Sequence, residues 1–193
     1  MRDLMKEKGQ GDEAEHFHRE DAKLIQKMRE RAQVQEIAQA LAAKLRVEDA
    51  ELLQRVAALG LDQDTGPAIL LAPLVQVAWA DGRVDEAETK VALEIAASRG
   101  VTEGTPPYAR LLEWFRVRPS DALFETAAEV MRMGFAVLPP AERDDRIKAL
   151  VESCRKVAEA SGGGLARLLG IKDGVSGQEE AVLDAISSKL RTK

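Results

Sequence analysis

Asp81, Asp85, Glu86 and Glu88 fall within one short stretch, Trp79-Ala80-Asp81-Gly82-Arg83-Val84-Asp85-Glu86-Ala87-Glu88, directly after an apolar run. Carboxylates so closely spaced can do either of two things: hold a divalent cation, or begin a helix. The cation reading has content, because Asp81, Gly82, Val84 and Glu88 match positions five, six, eight and twelve of a calcium-binding EF-hand loop. In such a loop the glycine permits a sharp turn and the last glutamate grips the ion through two oxygens. Positions one and three, however, are Val77 and Trp79, whose side chains cannot coordinate calcium. What remains is a weak site built from Asp81, Asp85 and Glu88. The helix-start reading uses the same residues without an ion. Gly82 supplies the left-handed turn that ends one helix, Val84 plugs the apolar seam, Asp85 caps the next helix, and Glu88 completes a capping box. A cap contributes on the order of 1 kcal/mol, and acids in the first turn also favour the positive end of the helix dipole. The helix start accounts for more of the stretch and is adopted; a weakly bound divalent cation is the alternative.

Other residue types capable of chemistry are sparse. His16 and His18, two apart, point to different faces of a helix, and His16 with Glu20 offers only two ligands near a chain end. Cys154 lies on an apolar stripe with no histidine or basic cluster beside it, which suits a small core residue better than a nucleophile. Gly162, Gly163 and Gly164 resemble a phosphate-cradling loop only superficially, since no Gly-Lys-Ser/Thr follows and no strand precedes. Trp79 and Trp114 read as core anchors. Trp114 and Phe115 are adjacent and should not both face fully inward, so one of them is expected in an exposed partner-binding patch. No Ser-His-Asp set, zinc cluster or dinucleotide loop is present, and the chain reads as non-catalytic.

The elements that must position these residues are helices throughout. Residues 1–12 are charged, contain glycine and lack apolar period, and are expected to be mobile. From Glu13 the pattern turns helical: Phe17, Leu24, Ile25 and Met28 share a face, then Val34, Ile37, Leu41 and Leu45 recur every three to four residues. A short helix follows over Val47–Leu59 and stops at Gly60, so 13–60 is expected to form a helical arm on a bundle made by 61–193. Thr65-Gly66-Pro67 reads as a capped helix start, and Pro73 must kink that helix or begin another. Ile69–Trp79 is apolar almost all round, as befits a central element. Val91, Leu93 and Ile95 mark a helix ending at Gly100; Thr105-Pro106-Pro107 opens the next, which Pro119 closes. Ser120 should cap a helix running to about Leu138, and two more should span about 141–160 and 176–190 on either side of the glycine run. No segment alternates as a strand does, so the fold class is all-α, a multi-helix bundle.

Composition narrows the partners. Of 193 residues, 45% are apolar and 32% charged, ordinary for a globular protein, and the net charge of −5 comes with bases and acids interleaved. No cationic stripe is available to neutralise phosphates and there are few aromatic side chains on which bases could stack, which argues against nucleic acid. The longest apolar run, Pro67–Ala80, is too short to span a hydrocarbon core of roughly 30 Å, and the charged N-terminus lacks the apolar segment of a signal peptide. A cytoplasmic protein with a protein partner is expected, peripheral attachment to a membrane staying open.

The stretch Val75–Gly100 resembles the TerB-like family, named for tellurite resistance proteins and including the N-terminal domain of a membrane-anchored DnaJ-like chaperone. The family pattern is an apolar helix ending in Ala-Asp-Gly, an apolar residue two positions after the glycine, and a glutamate seven after the aspartate. Ala80, Asp81, Gly82, Val84 and Glu88 fill it. The resemblance implies a compact helical domain that binds or scaffolds, with members tied to tellurite, phage and colicin resistance, envelope stress, and metal-ion sensing at the membrane face. The His-Pro-Asp motif of a J-domain does not occur, so co-chaperone activity is not implied. A second copy of the pattern is suggested near the C-terminus, in either of two registers. One sets Asp81-Gly82 against Asp173-Gly174; the other, preferred, sets Val84, Asp85 and Glu88 against Val175, Ser176 and Glu179, keeping the helix start and losing the aspartate. In that register the helical pairs at about 67–99 and 141–190 form a degenerate repeat.

Overall fold

A computed structural model describes residues 2–161 and 175–192, leaving aside the side chains of residues 2–18, Glu30, Gln33 and Ser161. The first helix, α1 (Arg2–Leu45), is followed by α2 (Ala50–Ala58). Its helical course thus begins ahead of Glu13, where the apolar period starts. Asp49 caps α2, its carboxylate accepting a hydrogen bond from Leu52 N at 2.9 Å, and Leu52, Leu53 and Val56 turn inward. Gly60, at φ +76°, ends the element in the left-handed conformation that other residues avoid.

The expected helix at Thr65 takes a tighter form. Residues Gly66–Leu71 make a 3-10 helix, and Thr65 makes no side-chain cap. Its amide and hydroxyl both donate to Asp62 Oδ1, at 2.8 and 2.7 Å, while Asp62 N donates back to the Thr65 hydroxyl at 3.0 Å. The Thr65 amide and hydroxyl together hold the Asp62 carboxyl below its ordinary range. Pro73 resolves as a new beginning: α3 (Ala72–Ala78) starts one residue before it, where a missing N–H leaves no bond unmade.

α3 is the hub. Leu74, Val75 and Val77 are fully buried, and the helix touches α4 (Glu86–Ser98), α5 (Pro106–Arg116), α6 (Asp121–Ala136), α7 (Pro140–Ser161) and α8 (Gly177–Arg191). An apolar side chain surrounded in this way contributes about 1.5–3 kcal/mol by leaving water. Ser120 sits at the N-cap position of α6 without making a side-chain bond there. Arg155 grips Glu180 with two nitrogens at 3.1 and 3.2 Å, tying α7 to α8. Among the described residues every regular element is helical, an all-α multi-helix bundle.

One apolar core runs from Ala38 to Leu190, so the second half of α1 and all of α2 share it with the helices beyond residue 61. The first half of α1 behaves differently. Leu24, Ile25 and Met28, which share a face, are 58, 49 and 62% exposed. The helices that chiefly pack on α1 are α2 and the 3-10 helix, and its Ala38, Leu41 and Leu45 are buried, while among the described residues Leu24, Ile25 and Met28 are left exposed.

Candidate functional site

The stretch after α3 forms a turn and a helix start. Trp79 ends α3 and sends its indole N–H to the carbonyl of Trp114 at 2.8 Å, satisfying one of the carbonyls left open at the end of α5. Gly82, at φ +89°, makes the left-handed turn. Asp85 Oδ1 then accepts from Glu88 N at 2.9 Å, and Glu88 Oε2 accepts from Asp85 N at 2.9 Å, a complete capping box. Asp81 turns back on the loop, accepting from Arg83 N at 3.1 Å with Arg83 Nε at 3.4 Å from its second oxygen. The three candidate metal ligands are therefore each engaged in local hydrogen bonds. Among the described residues no three histidine, cysteine, aspartate or glutamate side chains are grouped so as to hold an ion.

Glu88 is the unusual member. It is 3% exposed and lies on the inner stripe Glu88–Ala92–Ala96 of α4, whose main neighbour is α7. Burial pushes its carboxyl up to about 7, the Asp85 amide works the other way, and the charges of Asp85, Glu179 and Asp81 raise it further. Glu179 is 4% exposed and closes the corresponding capping box at the start of α8: Ser176 N donates to Glu179 Oε2 at 2.5 Å, and Glu179 N donates to Ser176 Oγ at 3.2 Å. Val84 and Val175 both pack against the core immediately before their caps. The two helix starts thus share a capping box; Asp173 and Gly174, on which the other register rests, lie in residues 162–174, outside those described, as do the glycines at 162–164.

On its outer side α4 borders an open groove of about 570 Å³. Val84, Leu93, Ala97 and Tyr108 give it apolar surface, and Asp85, Glu86, Glu94 and Glu103 line it with Lys90, the one cation of the lining among the described residues. The capping box fixes where α4 begins and hence which residues face out: Glu86, Lys90, Leu93, Glu94 and Ala97 lie on the side away from the buried Ala92 and Ala96. Sequence reading missed this groove because it depends on the loop from Gly100 to Thr105 and the first turn of α5 folding back beside α4; only the acids were visible as a run.

Trp114 and Phe115 do not form a surface patch. They are 7 and 6% exposed, because α5 is covered from more than one direction by α3, the 3-10 helix and α4, which accommodates both neighbouring aromatic side chains. Cys154 is fully buried and its thiol is pushed up to about 12 by desolvation, with Arg99 acting weakly in the opposite sense. The side chains of His16 and His18 lie outside those described. No helix among the described residues is long and apolar enough to cross a membrane.

Comparison with family models, curated proteins and solved structures finds no match.

Proposed function

We propose that this chain is a TerB-like, non-catalytic binding protein that holds a protein partner in the groove along α4, acting as a cytoplasmic adaptor in a bacterial stress response of the tellurite-resistance kind. The family part of this reading rests on Ala80, Asp81, Gly82, Val84 and Glu88. The groove carries the binding part: among the described residues its lining joins the apolar surface of Val84, Leu93, Ala97 and Tyr108 to four carboxylates and one ammonium. Such a surface fits a segment with apolar anchors and flanking lysines or arginines, which gains desolvation from the floor and charge complementarity from the rim.

A fluorescently labelled basic amphipathic peptide, titrated with the full chain, tests this. Saturable binding that weakens with added salt and is lost on Glu94→Lys with Glu103→Lys supports the reading. Binding that ignores those substitutions, or fails to saturate, removes it.

A further inference from the structure

We propose that the groove along α4 receives the exposed strip of α1 from a second copy of this chain. This rests on the reading of the groove as a binding surface and names its occupant.

Leu24, Ile25 and Met28 are large apolar side chains left in water on one side of a helix. Leu24 and Met28 are one turn apart on the same face and Ile25 adjoins them. Lys27 and Arg31 stand three residues after Leu24 and Met28 and line one margin of the strip; Arg29, four after Ile25, lines the other. All three bases are exposed. Asp21 shares the apolar face and Glu20, paired with Lys23 at 3.0 Å, lies on the Lys27 side, yet residues 19–31 carry five bases against three acids, a net positive segment facing a groove lined by four carboxylates and one ammonium. Within one molecule α1 packs on α2 and the 3-10 helix. Two molecules that each lend α1 to the other form a closed pair in which the contact is made twice, so neither strip nor groove is left over.

Sedimentation equilibrium of the full chain at roughly 100 µM and low salt should give twice the 21.1 kDa chain mass. Lys27→Glu with Arg31→Glu, and separately Glu94→Lys with Glu103→Lys, should each weaken self-association by about tenfold or more. All four positions are exposed, so folding is spared. Mixing the two variants should restore the pair, since the acidic arm then meets the basic groove while the wild-type arm meets the wild-type groove. Failure of the mixture to restore it overturns the proposal, as does a dimer indifferent to the groove substitutions. A chain that stays monomeric but binds vesicles of phosphatidylcholine and phosphatidylserine through Leu24, Ile25 and Met28 also overturns it, in favour of a membrane surface. A monomer whose groove still binds the basic peptide overturns this inference while sparing the binding reading; loss of both removes both.

Discussion

Replacing Glu88 by glutamine should change how the protein's stability depends on pH. The carboxyl is 3% exposed and its folded value lies near 7 against an ordinary 4.5. Below about pH 4.5 the group is protonated both folded and unfolded and adds no pH dependence. As pH rises toward 7 the unfolded chain releases this proton while the folded chain keeps it, so stability falls; above 7 both states are ionised and the full penalty stands. With one pKa unit equal to about 1.36 kcal/mol, the loss between about pH 5 and about pH 8 comes to about 2–3 kcal/mol. Glutamine keeps an oxygen that can accept the Asp85 amide and cannot ionise. Urea denaturation of both proteins at several pH values should therefore show Glu88→Gln gaining about 2–3 kcal/mol on wild type as pH rises from about 5 to about 8. A difference that is flat across this window, or that grows toward acid, refutes the assignment of a buried, proton-holding carboxyl at the start of α4.

Gly66 is buried, and a Cβ there would collide with Cδ2 of the fully buried Leu41. Gly66→Ala should cost ~1–3 kcal/mol, and combining it with Leu41→Ala should cost less than the sum of the two by about 1 kcal/mol or more, measured by chemical denaturation. Cys154, with its thiol near 12, should react with a thiol reagent on the order of a thousandfold more slowly in the native protein than in urea, followed by absorbance. Calcium at submillimolar concentration should leave the amide resonances of residues 79–90 unmoved; saturable shifts confined there would establish the alternative cation site at Asp81, Asp85 and Glu88.

Local chemistry was legible in the sequence to the extent that it is self-contained. The box at Asp85 and Glu88 needs only residues three apart, and the helix start at Pro73 needs only a ring and a missing N–H. Thr65 was misread because Asp62, three residues earlier, competes for its hydroxyl and amide. Trp114 and Phe115 were misread for a different reason: periodicity assigns one inward face, whereas α5 has neighbours on more than one side. Leu24, Ile25 and Met28 show the converse, an apolar face that stays exposed among the described residues. The groove could not be read at all, since it joins the outer side of α4 to Thr102, Glu103 and Tyr108 across a turn whose course no local pattern specifies.

Methyl and amide NMR of the full chain during titration with a basic amphipathic peptide bears most directly on the claim that the outer side of α4 is where this molecule binds. Resonances of Val84, Leu93, Ala97 and the first turn of α5 should shift together and saturate. Shifts that appear elsewhere while these four places stay still would contradict it.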